Sequence, residues 1–146
     1  MTQALLFIHI LLFVFSFAFT AGISILGDMM IKTGDAKTIQ ATFRVIVPLS
    51  TIGGIGWLLT GVAGATLAGA YGYSLTAPWL VGAYVLFALL LIVGFGLHLP
   101  WDRKVVAAAP GPELDTVLKA PIHKIASAIS SVCILGLVFL MIFRPG

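Results

Sequence analysis

Residues 45–101 read VIVPLSTIGGIGWLLTGVAGATLAGAYGYSLTAPWLVGAYVLFALLLIVGFGLHLPW and contain no Asp, Glu, Lys or Arg. Twelve of the thirteen formally charged side chains lie outside this stretch in two short segments, Asp28–Arg44 and Asp102–Lys124, and the thirteenth is Arg144. About 20 apolar residues in a helix cross a bilayer core roughly 30 Å thick. The charge-free stretch therefore predicts two membrane-spanning helices joined by a short turn at residues 71–76.

The composition of the whole chain agrees with this interpretation. It is 60% hydrophobic and 9% charged, with a mean hydropathy of +1.15, whereas soluble domains carry about 25% charged residues. Four stretches are long enough to span a bilayer, at residues 5–26, 45–70, 78–99 and 122–143. We therefore predict an all-α polytopic membrane protein, in which residues 1–146 form a single antiparallel, up-down bundle of four transmembrane helices surrounded by lipid.

The basic residues predict the orientation of the four spans. Seven of the eight lie in or beside the loops between spans 1 and 2 and between spans 3 and 4: Lys32, Lys37, Arg44, Arg103, Lys104, Lys119 and Lys124. Positive charge marks cytoplasmic loops, so we expect an inner (plasma) membrane protein with cytoplasmic charged loops and both termini outside, in the periplasm. The pI near 9.3 comes from the basic residues of these loops, which we expect to contact anionic lipid headgroups rather than nucleic acid. The uncharged start Met1-Thr2-Gln3 is not typical of a cleaved signal peptide.

Several local signals predict how the helices begin and end. The segment Thr33-Gly34-Asp35 offers an N-cap for a helix that starts before span 2, and Pro48 should kink that helix. Pro100 is expected to end span 3. Pro112 followed by Glu113–Lys119, with early acids and a late lysine, predicts a short interfacial helix.

Small residues cover one side of span 2. On a helix, Gly53, Gly56, Thr60 and Gly64 share a face, and Gly61, Ala65 and Gly69 form an adjacent row. We call these seven residues the glycine-rich face. Small residues allow helices to approach closely in lipid, so this face predicts packing within the bundle or against other membrane subunits. The alternative is a smooth surface for a flat cofactor such as haem or a quinone.

His9 is the only histidine well inside a span, where no Asp, Glu, Lys or Arg is expected. It shares one direction of the first helix with Ser16, Thr20 and Gly27, and such a polar stripe should face the bundle because polar groups in hydrocarbon need partners. His9 is either a ligand, for which Met141 at the same depth is the nearest second ligand, or a hydrogen-bonded imidazole. Both interpretations stay open.

A second pair of histidines lies at the other membrane surface. His98 ends span 3 and His123 begins span 4, so the two lie at similar depth on consecutive antiparallel helices and are candidates to ligate one metal or haem iron. The alternative is two imidazoles wetted by headgroups. Arg44 at the mouth of span 2 is a candidate to bind a propionate or phosphate, although snorkelling to the interface is the commoner role.

The first helix carries a family resemblance. Residues 4–13, ALLFIHILLF, with the small pair Ala21-Gly22, resemble an uncharacterised family of predicted bacterial four-helix integral membrane proteins. The similarity covers residues 4–105, including Pro48, Gly54 and Pro78-Trp79. That family is distantly similar to copper-resistance D and HemJ-type membrane proteins, in which a first-helix histidine is linked to haem or copper. The resemblance implies this role for His9.

Three functions follow from these features. The chain contains no self-contained catalytic motif, and no carboxylate is expected inside the membrane, so it is not expected to be an enzyme alone. We expect first a structural or accessory subunit of a larger membrane complex, plausibly respiratory or redox, contacting other subunits through the glycine-rich span 2. The alternatives are an electron-transfer protein that binds haem b or a metal, and a metal or small-molecule permease. The permease ranks last because the span interiors offer few polar groups.

Overall fold

The computed structural model describes residues 2–144, and this part of the chain is almost entirely helical. The helices are α1 (Thr2–Ile31), α2 (Ala36–Ala70), α3 (Pro78–Val93), α4 (Leu99–Ala107), α5 (Pro112–Lys119) and α6 (Ile122–Phe143), and a π-helical turn, Gly94–His98, makes α3 and α4 continuous. Four helical stretches are long and apolar enough to cross a membrane. The predicted all-α bundle of four antiparallel spans is thus confirmed, and the chain is a multi-pass membrane protein.

The spans extend beyond the predicted limits at one end of the bundle. At this end α1 continues to Ile31, α2 begins at Ala36, and the third span continues to Ala107. At 1.5 Å per residue, the 30 residues of α1 measure about 45 Å, well over the roughly 30 Å of hydrocarbon. We call this end, which carries both charged loops, the charged end. The other end holds the turn at residues 71–77.

Asp35 caps α2, as predicted. Its carboxylate accepts hydrogen bonds from the backbone N–H of Thr38 at 2.9 Å and from the Thr38 hydroxyl. Both bonds hold the pKa of Asp35 below its ordinary value because they favour the charged form, and the bond from the Thr38 hydroxyl has the larger effect. Pro48 lies inside the continuous α2. The start of α2 is therefore determined by a side-chain cap, since four backbone N–H groups at a helix start lack partners.

The prediction that Pro100 ends span 3 is wrong. Helical structure continues through Pro100 to Ala107 because the π-helical turn lies directly before it, with the Leu99 N–H donating to the Gly94 carbonyl. A proline inside an α-helix lacks a donor and clashes with the carbonyl four residues earlier. The wider π-helical turn shifts the hydrogen-bonding register, so Pro100 occupies the first turn of α4. Asp102 consequently belongs to the third span.

The predicted short helix is confirmed as α5, and it packs on protein. Its Leu114 is 2% exposed and joins a cluster at the charged end made of Ile39, Phe43, Ile46, Trp101, Val105 and Ala108. The Gln40 amide donates to the Ala108 carbonyl at 2.6 Å, which satisfies the end of α4. Burial of apolar surface and this cap together attach α4 and α5 to α2.

The glycine-rich face contacts other helices of the same chain. A Cβ atom at Gly56 or Gly64 would lie 2.6 Å from Ser16 Oγ or 2.8 Å from His9 Cε1, both on α1. A Cβ atom at Gly61 would lie 2.5 Å from Phe87 on α3, whereas one at Gly69 would have nothing among residues 2–144 within 4 Å. Close approach of α1 to α2 therefore depends on glycine at positions 56 and 64, and that of α3 to α2 depends on Gly61.

Candidate functional site

The polar stripe of α1 faces α2, and His9 is part of it. The His9 Nδ1 atom lies 3.0 Å from the Thr60 carbonyl oxygen, and Ser16 Oγ lies 3.4 Å from Thr60 Oγ1. Thr20 Oγ1 accepts a hydrogen bond from Trp57 Nε1 at 2.9 Å. The expectation that the stripe faces the bundle is confirmed, because these groups find partners on α2.

The structure favours the hydrogen-bonded interpretation of His9. Its ring is seated against Gly64 and bonded to backbone. Met141, the expected second ligand, is 37% exposed near the end of α6. Within residues 2–144 no group of three or more His, Cys, Asp or Glu side chains is arranged to hold a metal ion. A ligand role for His9 therefore stays a prediction.

His98 and His123 come together at the charged end. Their rings are edge-to-face with centroids 5.6 Å apart. The His123 ring also stacks on Trp101 at 4.2 Å, and its Nε2 lies 3.3 Å from the Asp28 carboxylate on α1. Trp101 is itself held by a hydrogen bond from its Nε1 to the Val117 carbonyl at 3.1 Å. His123 thus links α6 to both α1 and α4.

Asp102 is the site residue that the sequence reasoning missed: we expected no carboxylate inside the membrane, and the helix that continues through Pro100 carries this one into the interior of the bundle at its charged end. It is 6% exposed, one helical turn beyond His98, and its Oδ2 accepts a hydrogen bond from Ser50 Oγ at 3.1 Å. The signal was present, since a proline followed by an acid two residues later is typical of a helix start. The prediction that Pro100 ends span 3 hides this signal.

These groups line a cavity between the four spans, in the half of the bundle nearer the charged end. We call it the central cavity. It measures about 280 Å³, and all four spans contribute to it. Its polar lining residues are Thr20, Ser24, Ser50, His98, Asp102, His123, Ser127, Ser130 and Ser131, and its aromatic ones are Phe17, Phe43, Trp57 and Phe95. Gly53 of the glycine-rich face, together with Gly54, also lines it. The cavity lies between two close helix pairs, α1 with α2 and α3 with α6.

Two polar atoms at this cavity lack partners. The Nδ1 atom of His123 and the Oγ atom of Ser127 are buried with no hydrogen-bond partner among the described residues. Buried polar groups in folded proteins are nearly always hydrogen-bonded, because leaving one unpaired costs about 1–3 kcal/mol. Both residues line the cavity, so its polar lining is not fully satisfied by the protein itself.

Arg44 lies apart from this cavity. It is exposed on α2, while its neighbours Phe43 and Ile46 line the cavity, so its side chain suits the membrane surface.

Comparison with known proteins found no matching family model, no similar curated protein and no similar solved structure. The family resemblance of the first helix stays a prediction.

Proposed function

We propose that this membrane protein binds a small molecule in its central cavity, in the manner of a permease or carrier. The observation that carries the proposal is the cavity itself, formed by all four spans and containing unpartnered atoms of His123 and Ser127. Its volume of about 280 Å³ is close to the lower limit of roughly 300 Å³ for small-molecule sites. One compact molecule would fill it.

Asp102 changes the ranking of the three functions expected from the sequence. On the sequence alone the permease ranks last, because the predicted span interiors offer few polar groups. A buried ionisable residue within a span is a functional candidate by default, since placing it there is costly, and Asp102 faces the cavity. The basic residues of the charged loops further support a cytoplasmic charged end in an inner membrane, which would place the cavity in the cytoplasmic half of the bundle.

Filling the cavity tests this proposal. Ser127→Trp places a large ring in the cavity, and Val132→Trp is the matched control because Val132 lies on the same helix and is 66% exposed. We expect a small molecule to co-purify with the wild type and the control and to be lost from Ser127→Trp, as measured by mass spectrometry of denatured protein. If no molecule is found with any of the three, and none stabilises the wild type in a thermal screen, the proposal fails.

Haem b is the second candidate, because His98 and His123 lie close together. Two axial imidazoles would have to approach the iron from opposite faces of a macrocycle. Here the rings are in edge-to-face contact at 5.6 Å, and His123 is already stacked on Trp101, so the residues as arranged do not fit a haem between them. A reduced-minus-oxidised visible spectrum is the test. A Soret band lost in His98→Ala and His123→Ala would restore this candidate, and a colourless protein would eliminate it.

The accessory-subunit function stays a prediction. Of its two interpretations of the glycine-rich face, packing within the bundle is the one that agrees with Gly56, Gly61 and Gly64, which contact α1 and α3 of the same chain. Association with a redox complex stays an untested prediction. Native electrophoresis of gently solubilised membranes would reveal it as a stable larger species.

A further inference from the structure

Asp102 is a buried acid without a basic partner. The ion pair found among residues 2–144 joins His123 to Asp28, and in that part of the chain no Lys, Arg or His side chain pairs with Asp102. Its hydrogen-bond partner is the neutral hydroxyl of Ser50. A carboxylate removed from water is costly unless a positive charge accompanies it. The missing charge must come from a proton or from a ligand.

The aromatic lining of the cavity suits a positively charged ligand. Phe17, Phe43, Trp57 and Phe95 line the same cavity as Asp102. Aromatic faces attract cations through the ring quadrupole, and aromatic enclosures are the usual binding sites for quaternary ammonium groups. A carboxylate combined with aromatic rings therefore selects a cation that carries apolar substituents over a small hydrated one.

The cavity is accessible from the bilayer. At the charged end α1 and α6 are joined by the bond between Asp28 and His123. Beyond that bond they are not a close helix pair, since the close contacts are α1 with α2 and α3 with α6, and this leaves a gap between α1 and α6. Lining residues at this gap are exposed: Phe17 is 45% and Ile25 61% exposed on α1, and Ser131 is exposed on α6. A molecule dissolved in the hydrocarbon can enter here without crossing the charged end, so the ligand should partition into lipid.

We propose that the cavity binds a hydrophobic organic cation, such as a quaternary ammonium or phosphonium, whose charge pairs with Asp102. This inference rests on the proposed function and names its ligand class. The cation and a proton compete for the same carboxylate, so binding of one displaces the other. The groups facing this position are Ser50 from α2, His98 from the same helix, and His123 from α6 with its partner Asp28 from α1.

Titration of tetraphenylphosphonium into the detergent-solubilised protein by calorimetry tests the inference. Asp102→Asn should weaken binding by about 10-fold to 100-fold, since it leaves the cation unpaired in a buried site. Asp115→Asn is the matched control, because Asp115 is exposed on α5, and it should bind like the wild type. Wild-type affinity should fall as the pH is lowered, and the His98→Ala/His123→Ala double variant should retain this fall.

Neutral triphenylphosphine oxide keeps the inference testable if Asp102→Asn does not fold. The wild type should bind it far more weakly than the phosphonium. Equal binding of the two compounds, or full binding by a folded Asp102→Asn, would overturn the inference. A neutral molecule that co-purifies in the cavity while the phosphonium does not bind would overturn the inference and leave the proposed function intact. If neither a co-purified molecule nor the phosphonium binds, both the inference and the proposed function fail.

Discussion

Substitution of Gly56 by alanine is a direct test of the α1–α2 contact. The added Cβ would lie 2.6 Å from Ser16 Oγ, well inside the 3.4 Å at which ordinary van der Waals contact begins. Ser16 is fully buried, and its hydroxyl already donates to the Leu12 carbonyl at 2.7 Å. Moving the Ser16 hydroxyl away would break this bond in a buried position, so the substitution must either break the bond or push the two helices apart.

Gly69→Ala provides the matched control for this substitution. It lies on the same helix, and its added Cβ meets no atom of the described part of the chain within 4 Å. Both substitutions gain up to about 1 kcal/mol of helix propensity, so the difference between them isolates the steric term. Overpacking a well-packed contact costs about 1–3 kcal/mol. We expect Gly56→Ala to be less stable than Gly69→Ala by that amount.

Thermal unfolding in detergent, followed by circular dichroism, measures the difference. Ser16→Ala removes the atom that clashes, so the Ser16→Ala/Gly56→Ala double variant should recover about 1 kcal/mol or more relative to additivity. Equal stability of Gly56→Ala and Gly69→Ala would refute the assignment of the glycine-rich face to packing within the chain. A face reserved for another subunit would give that result, because the isolated chain would not sense the substitution.

Three further predictions concern the charged end. Leu114→Ala should weaken the packing of α5 on the bundle by about 2–5 kcal/mol, because Leu114 is 2% exposed. Faster proteolysis at residues 108–111 with the spans intact would show this, and an unchanged rate would contradict it. Trp101→Phe removes the hydrogen bond to the Val117 carbonyl and should lower stability by about 1 kcal/mol; a melting temperature equal to the wild type's would count against that bond. The pKa of Asp35 is lower in the folded state than its ordinary value of 3.8, so the charged carboxylate stabilises the fold at pH values above 3.8, and this contribution is lost as the pH falls through the folded-state pKa. Asp35→Asn should lack this acid-dependent loss of stability. Identical dependence of stability on pH in the two proteins would contradict the prediction.

Local signals predicted much of the fold. The N-cap at Asp35 and the short helix after Pro112 need only a few neighbouring residues, and both are present. The direction of the polar stripe on α1 follows from helix geometry and the need for hydrogen bonds. Pro100 shows the limit of such signals, since its effect depends on whether a π-helical turn precedes it.

The candidate site was predictable only in part. His98 and His123 share a depth in the sequence, and the structure brings their rings into contact. The burial of Asp102 and its bond to Ser50 join residues on α4 and α2 that lie far apart in the chain. No local pattern states how two helices are rotated toward each other, so the central cavity could not be predicted.

The sequence by itself determined that this protein is embedded in lipid, crosses it four times and carries twelve of its thirteen charged side chains at one end. These properties follow from transfer free energies that add up along short, contiguous stretches. Only the tertiary structure decided that the glycine-rich face packs within the chain, that His9 bonds to Thr60, and that Asp102 faces a cavity. Each of these depends on the rotation of one helix about its axis, which close packing between distant segments selects.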